Sequence, residues 1–149
     1  MKGFTLIELL ITVGIAVILS YGGLLAIINY RGRQDLALTA RSVIATLRDA
    51  QSRSQSQEEG KLWGVRFDAT EKSYGIFSGI TCSPEGFVFK INIKANLEFS
   101  DPVSGTKDVC FKKVSGASTA LIPLIMTLGL VSNPSVTQTV TIYENGRIE

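Results

Sequence analysis

The most informative stretch of this sequence is the apolar run FTLIELLITVGIAVILSYGGLLAII, residues 4–28. Its 25 consecutive residues include a single charged side chain, Glu8, although the whole chain has 15 basic and 13 acidic residues. A helix needs about 20 apolar residues to cross about 30 Å of hydrocarbon, so the stretch predicts a transmembrane helix. It is longer than the apolar part of an ordinary signal peptide, about 7–15 residues. A carboxylate in hydrocarbon is costly, so Glu8 is expected to have a partner and a function.

The composition excludes several classes of function. The chain has 149 residues and no histidine, which removes histidine-based triads and histidine zinc sites. Two cysteines are too few for a zinc site made of thiolates alone. No phosphate-binding glycine loop, dinucleotide fingerprint or C-x-x-C motif occurs. We therefore predict no catalytic residue, no metal site and no cofactor.

The start of the apolar stretch, KGFTLIELL at residues 2–10, resembles the prepilin cleavage and methylation motif. That motif belongs to the type IV pilins and the type II secretion pseudopilins. The resemblance implies that a prepilin peptidase cuts between Gly3 and Phe4, on the cytoplasmic side, and then N-methylates Phe4. It also implies that Thr5 and Glu8 act in assembly, where the glutamate of one subunit neutralises the N-terminal amine of its neighbour.

Helical periodicity continues beyond the apolar stretch, and no proline occurs between residues 4 and 59. Apolar residues recur at spacings of four and three, which places them on one helix face: Leu36, Ala40, Val43, Leu47 and Ala50. We expect this stripe to pack against a globular head. The helix is predicted to end near Gln57, because Gly60 is a natural stop.

After Gly60, short runs of β-type residues separated by turn residues predict a β-rich head. The runs are 62–67, 73–77, 87–93, 97–99, 109–114 and 137–143, and the first two are predicted to form a hairpin. The apolar run 120–131 is too short for a second membrane span and is predicted to be a pair of buried strands.

The predicted fold class is α+β: a long N-terminal helix, transmembrane in its first half, packed on an antiparallel β-rich head, as in the pilin fold. The predicted parts are a prepilin leader at 1–3 and a transmembrane and filament-core helix at 4–28. An amphipathic continuation of the helix at 29–59 and the head at 60–149 follow. The segments 40–51, 97–105 and 140–148 most resemble the H-type minor pseudopilins, the proteins like general secretion pathway protein H.

The two cysteines, Cys82 and Cys110, allow two interpretations: a disulfide, or two separate buried thiols. We favour the disulfide, because the number is even and a head outside the cytoplasm lies in an oxidising compartment.

These features predict a non-enzymatic structural subunit, a minor pilin or pseudopilin, that assembles into a type IV pilus-like or type II secretion pseudopilus filament. The resemblance implies a single-pass protein of the cytoplasmic (inner) membrane with an extracytoplasmic head, which becomes part of an extracellular or periplasmic filament. The implied partners are other pilin or pseudopilin subunits, the prepilin peptidase, the cytoplasmic membrane and an assembly platform protein.

Two alternative functions remain at this stage. A DNA-binding minor pilin for DNA uptake would use basic residues of the head, with Lys112, Lys113 and Arg147 as the candidate patch. Eight acidic residues offset nine basic residues in the head, which favours a mixed solvated surface over a DNA site. An extracytoplasmic enzyme held by a signal anchor is less favoured, because the motifs of catalysis are missing.

Overall fold

The computed structural model describes residues 5–83, 86–120 and 123–149, with only the backbone described at 22–26 and 86. Helix α1 spans Leu6–Gln55, and a short 3₁₀ turn follows at Glu58–Gly60. Seven strands then follow: β1 Leu62–Asp68, β2 Ser73–Gly79, β3 Gly86–Asn92, β4 Leu97–Asp101, β5 Thr106–Phe111, β6 Leu124–Leu130 and β7 Asn133–Ile142. A long N-terminal helix before an antiparallel β head confirms the predicted α+β class.

The chain divides into two compact units, Met1–Gln34 and Asp35–Glu149. The first contains the apolar part of α1. The second contains the remainder of α1 and all seven strands. The helix ends at Gln55, two residues before the predicted position. Gln57 and Glu59 have φ angles of 55° and 54°, left-handed values that are incompatible with a continuing helix.

The predicted packing stripe on α1 is buried in the second unit. Its five residues are at most 7% exposed, and Val43, Leu47 and Ala50 are fully buried. They belong to one hydrophobic core together with residues from both sheets of the head. The expectation that the second half of the helix packs on the head is therefore confirmed.

The strands form two antiparallel sheets, ordered β3-β2-β1-β5 and β4-β6-β7. The predicted hairpin is confirmed, because β1 pairs with β2 with Val65 opposite Ile76. The two sheets meet in the core, where the ring of Phe67 on β1 lies edge-to-face with Phe99 on β4, 6.1 Å between centroids. The aromatic ring of Tyr74 stacks on the same Phe67 at 6.4 Å.

Three strand predictions differ from the structure. The run 109–114 was predicted as a strand, but β5 ends at Phe111 and Val114 lies in a turn with a φ of 67°. The run 120–131 was expected to form a pair of strands. Its described part forms one strand, β6, which starts after Pro123. β6 is the central strand of its sheet, flanked by β4 and β7, and four of its seven residues are buried. Strand β7 begins at Asn133, four residues before the expected Thr137, because a tight connection at Val131 and Ser132 leads directly into it.

Candidate functional site

The first turn of α1 brings together Thr5 and Glu8, the two residues predicted to act in assembly. The Thr5 side-chain oxygen Oγ1 accepts a hydrogen bond from the Glu8 backbone N–H, at 3.4 Å. Threonine before the first helical residue and glutamate three positions later is the capping-box arrangement. A negative side chain in the first turn also interacts favourably with the helix dipole. Thr5 therefore fixes where the helix starts, and with it the position of Glu8.

The carboxylate of Glu8 has no ion-pair partner within residues 5–34. The basic residues of this unit that are described, Arg31 and Arg33, lie more than twenty positions along the same helix. An exposed carboxylate on an apolar helix surface, with no ion-pair partner among residues 5–34, is suited to a cation from another molecule.

The apolar side chains of the first unit that the structure describes are exposed. Residues 5–21 and 27–30 are all exposed, with Leu6 at 80%, Ile18 at 72% and Leu19 at 70%. Continuous apolar surface of this extent marks a site that contacts a membrane or another protein.

The predicted cleavage site lies outside the described residues, since both Gly3 and Phe4 do. The predicted span 4–28 also includes the side chains at 22–26, which are likewise outside them. Among the residues that the structure does describe, no helix is both long and apolar enough to cross a membrane.

The head contains a disulfide between Cys82 and Cys110, with 5.8 Å between their Cα atoms. Cys110 is buried on β5, and Cys82 is exposed in the segment after β2. The bond therefore ties that segment to the edge of the first sheet.

Removing the disulfide, with Cys82→Ser and Cys110→Ala together, should lower the free energy of unfolding. The bond closes a loop with a sequence separation of 28, and the chain-entropy model assigns about 3–4 kcal/mol to a loop of this size. Urea unfolding of the full chain in detergent measures the loss. Treatment of the unmodified protein with reductant should give the same value, and equal stability with and without the bond would contradict the prediction.

Two of the three cations of the candidate DNA patch are engaged by other groups of the head. The Lys113 ammonium donates to the carbonyl oxygen of Gly60. Arg147 pairs with Glu149 at 3.3 Å and lies over the Tyr143 ring, 4.2 Å from its centroid. Lys112 is exposed. This geometry does not present three free cations to a phosphate backbone.

A polar side chain on α1 holds these turns together, and the sequence pattern did not point to it. The Gln51 amide nitrogen Nε2 donates to the carbonyl oxygens of Gly116 and Gly146, each at 2.8 Å. Ser54, fully buried, donates to the Phe111 carbonyl at 2.6 Å. Both residues belong to the polar run 51–57, which resembles an exposed helix end. Gln51 lies four positions after Leu47, and Ser54 lies four positions after Ala50; this spacing was the available signal.

Several charged groups of the head pair with one another. The Arg66 guanidinium donates two hydrogen bonds to Asp108, Nε to Oδ1 at 2.6 Å and Nη2 to Oδ2 at 2.5 Å. This bidentate bond raises the pKa of Arg66 above the ordinary arginine value. Lys90 pairs with Glu71 beside it. Arg66, Glu71 and Lys90 line a cavity of about 230 Å³. Within the described residues, no group of three or more acidic or cysteine side chains could hold a metal ion.

The described fold matches the type IV minor pilin FimU of Pseudomonas aeruginosa strain PAO1. The TM-score is 0.62 at 18% identity, over 78% of this chain and 88% of that one. The chain has the fold of a minor pilin. The predicted pilin fold is therefore confirmed.

The minor-pilin fold is also shared with EpsH, the minor pseudopilin from the type II secretion system of Vibrio cholerae. Two structures of EpsH match with TM-scores of 0.55 and 0.56 at 16% and 14% identity. They cover 77% and 78% of this chain and 94% and 95% of EpsH. At the level of fold, this supports the resemblance to the H-type minor pseudopilins. No family model and no curated protein sequence matches the chain.

Proposed function

We propose that this chain is a structural subunit, a minor pilin or pseudopilin, of a type IV pilus-like or type II secretion pseudopilus filament. The observation that carries the proposal is the exposed apolar surface of residues 6–21 and 27–28, on a chain that has the minor-pilin fold. An isolated subunit leaves this surface uncovered, so a membrane or neighbouring subunits must cover it.

Before assembly, the apolar segment lies in the cytoplasmic membrane and the head lies outside the cytoplasm, with its Cys82–Cys110 disulfide. An assembly platform protein then transfers the subunit into the filament. Moving an apolar helix from lipid to a bundle of apolar helices changes little hydrophobic free energy, because lipid tails are as apolar as leucine. The position that a subunit takes in the filament must therefore be set mainly by close packing and by polar groups.

Glu8 is the polar group that selects the position in this proposal. Prepilin peptidase removes residues 1–3, and the new amine of Phe4 carries a positive charge. The Glu8 carboxylate of one subunit pairs with the Phe4 amine of its neighbour, which neutralises both charges inside the filament. Thr5 sets the start of the helix and so holds Glu8 in position for that pair.

Processing of the N-terminus tests this proposal directly. We expect the full chain, co-expressed with a prepilin peptidase, to lose Met1–Gly3 and to gain one methyl group on the amine of Phe4. Intact-protein mass spectrometry followed by fragmentation of the N-terminal peptide measures both changes.

The matched control is the same chain expressed without the peptidase, which should keep residues 1–3. A second prepilin in the same cells reports whether the peptidase is active. An intact N-terminus in cells where that prepilin is cleaved would overturn the proposed function.

A further inference from the structure

Strand β7 forms one edge of the second sheet and differs in composition from the other edges. In the part of the chain that the structure describes, the edge strands are β3, β5, β4 and β7. The first three each carry charges, Lys90, Lys107 with Asp108, and Glu98 with Asp101, respectively. β7 has no charged residue in its ten positions. Charges and prolines on an edge strand normally prevent pairing with another chain. β7 has no charge, and its proline, Pro134, lies outside residues 136–140.

The backbone of β7 has an outer edge that is partly occupied. At Thr141, the N–H donates to the carbonyl of Glu149 at 2.8 Å, and the N–H of Glu149 donates back at 3.0 Å. Backbone groups that face one side of an antiparallel strand recur at every second residue. The N–H and C=O groups of Thr137 and Thr139 therefore face the same outer side as those of Thr141. Among the described residues, no strand pairs with this side of 136–140.

The sequence of this open window is its own mirror image: Val136-Thr137-Gln138-Thr139-Val140. If a second copy runs antiparallel to it with Gln138 opposite Gln138, each threonine faces a threonine and each valine faces a valine. Threonine–threonine and β-branched pairs are favourable across strands, and no like charges oppose each other. The outward groups of Thr137 and Thr139 would form four backbone hydrogen bonds in this register.

Both ends of the open window, residues 136–140, are set by features of the head. Thr141 is already bonded to Glu149, so it is closed to another strand. On the other side, the regular pairing of β7 with β6 breaks between Gly129 and Leu130, opposite Thr137 and Asn133. The side chains of Thr137, Gln138 and Thr139 are all exposed. The second copy would have to leave the edge before its Ser135 reaches Thr141, because Glu149 already lies there.

We propose that the outer edge of β7, residues 136–140, is a self-complementary site that pairs antiparallel with the same edge of a second copy of this chain. The two-fold axis passes between the two Gln138 residues, which gives an isologous dimer of heads. This site is separate from the apolar helix and does not depend on the proposed assembly through Glu8.

A cysteine at the two-fold axis tests the register. In the proposed pair, two cysteines from Gln138→Cys are directly opposite, with Cα atoms about 4.5 Å apart, which is within the range of a disulfide. The full chain in detergent should form a disulfide-linked dimer on mild oxidation, measured on non-reducing gels. Asn133→Cys, exposed on the same strand, is the matched control, because the two copies lie about 30 Å apart in this register. Equal cross-linking of the two variants would overturn the proposal.

A charge at the axis tests whether the edge drives association. Gln138→Lys places like charges opposite each other and should raise the dimer dissociation constant by at least about tenfold, whereas Asn133→Lys should leave it unchanged. Analytical ultracentrifugation of the full chain in density-matched detergent measures both. A wild-type chain that stays monomeric would overturn the proposal, and so would a dimer that is indifferent to Gln138→Lys, since the apolar helix would then hold it together.

Discussion

Replacing Glu8 by alanine should leave cleavage after Gly3 intact and reduce incorporation into filaments by more than about tenfold. This expectation rests on the proposed function. Opposite charges about 4 Å apart attract by about 4 kcal/mol at an effective dielectric of ~20, and part of this offsets the cost of burying both charges. The alanine variant leaves the neighbouring Phe4 amine buried without a partner. Quantitative immunoblotting of sheared filaments, with the membrane fraction for comparison, measures incorporation.

Two further variants separate charge from general damage to the helix. Glu8→Gln keeps the size of the side chain and removes its charge, so it should fail as Glu8→Ala does. Thr12→Ala changes an exposed polar residue one turn further along, whose hydroxyl donates only to the Leu9 carbonyl, and it should assemble normally. Normal incorporation of Glu8→Ala would eliminate the pairing with the Phe4 amine.

Replacing Phe67 by alanine should cause the largest loss of stability in the head, about 3–5 kcal/mol of the free energy of unfolding. Phe67 is fully buried, and its ring contacts Phe99 in the second sheet and Tyr74 in the first. The substitution removes the transfer free energy of the ring and leaves a cavity between the sheets. Urea unfolding of the full chain in detergent, followed by circular dichroism in the near-ultraviolet, measures the change.

A marginally stable head could fail to fold after that change, so Phe67→Leu provides a smaller step at the same position. It should lose less stability than Phe67→Ala but more than the surface control. Val103→Ala is that control, because Val103 is 83% exposed and should change the free energy of unfolding by no more than about 0.5 kcal/mol. Equal stability of the Phe67→Ala and Val103→Ala variants would contradict the proposed core.

The helix and its packing face were predictable because their signals are local. A stripe such as Leu36, Val43 and Leu47 specifies the buried side of a helix, since 3.6 residues make one turn. The β1–β2 hairpin was predictable for the same reason, since its strands are separated by a short turn.

Features that depend on distant partners were not predictable from local patterns. The run 120–131 is apolar whether it forms one central strand or a pair, and only its pairing with β4 and β7 decides between them. Gln51 and Ser54 looked like an exposed helix end because their acceptors, Gly116 and Phe111, are about sixty residues away. In the candidate site, Thr5 and Glu8 share one turn because they are three residues apart, and helix capping is also local.

The bridge from Gln51 to two turns has a consequence for how this protein can evolve. Gly116 and Gly146 have φ angles of 64° and 83°. A Cβ on Gly146 would meet the Gly116 carbonyl oxygen and the Gln51 amide, and one on Gly116 would meet the side chain of Gln55. A Cβ at Gly146 would therefore disturb Gln51, the helix residue that also binds the turn of Gly116. Across related sequences, positions 51, 116 and 146 should covary as a set, and a loop grafted into one turn will need compensating changes at the other two positions.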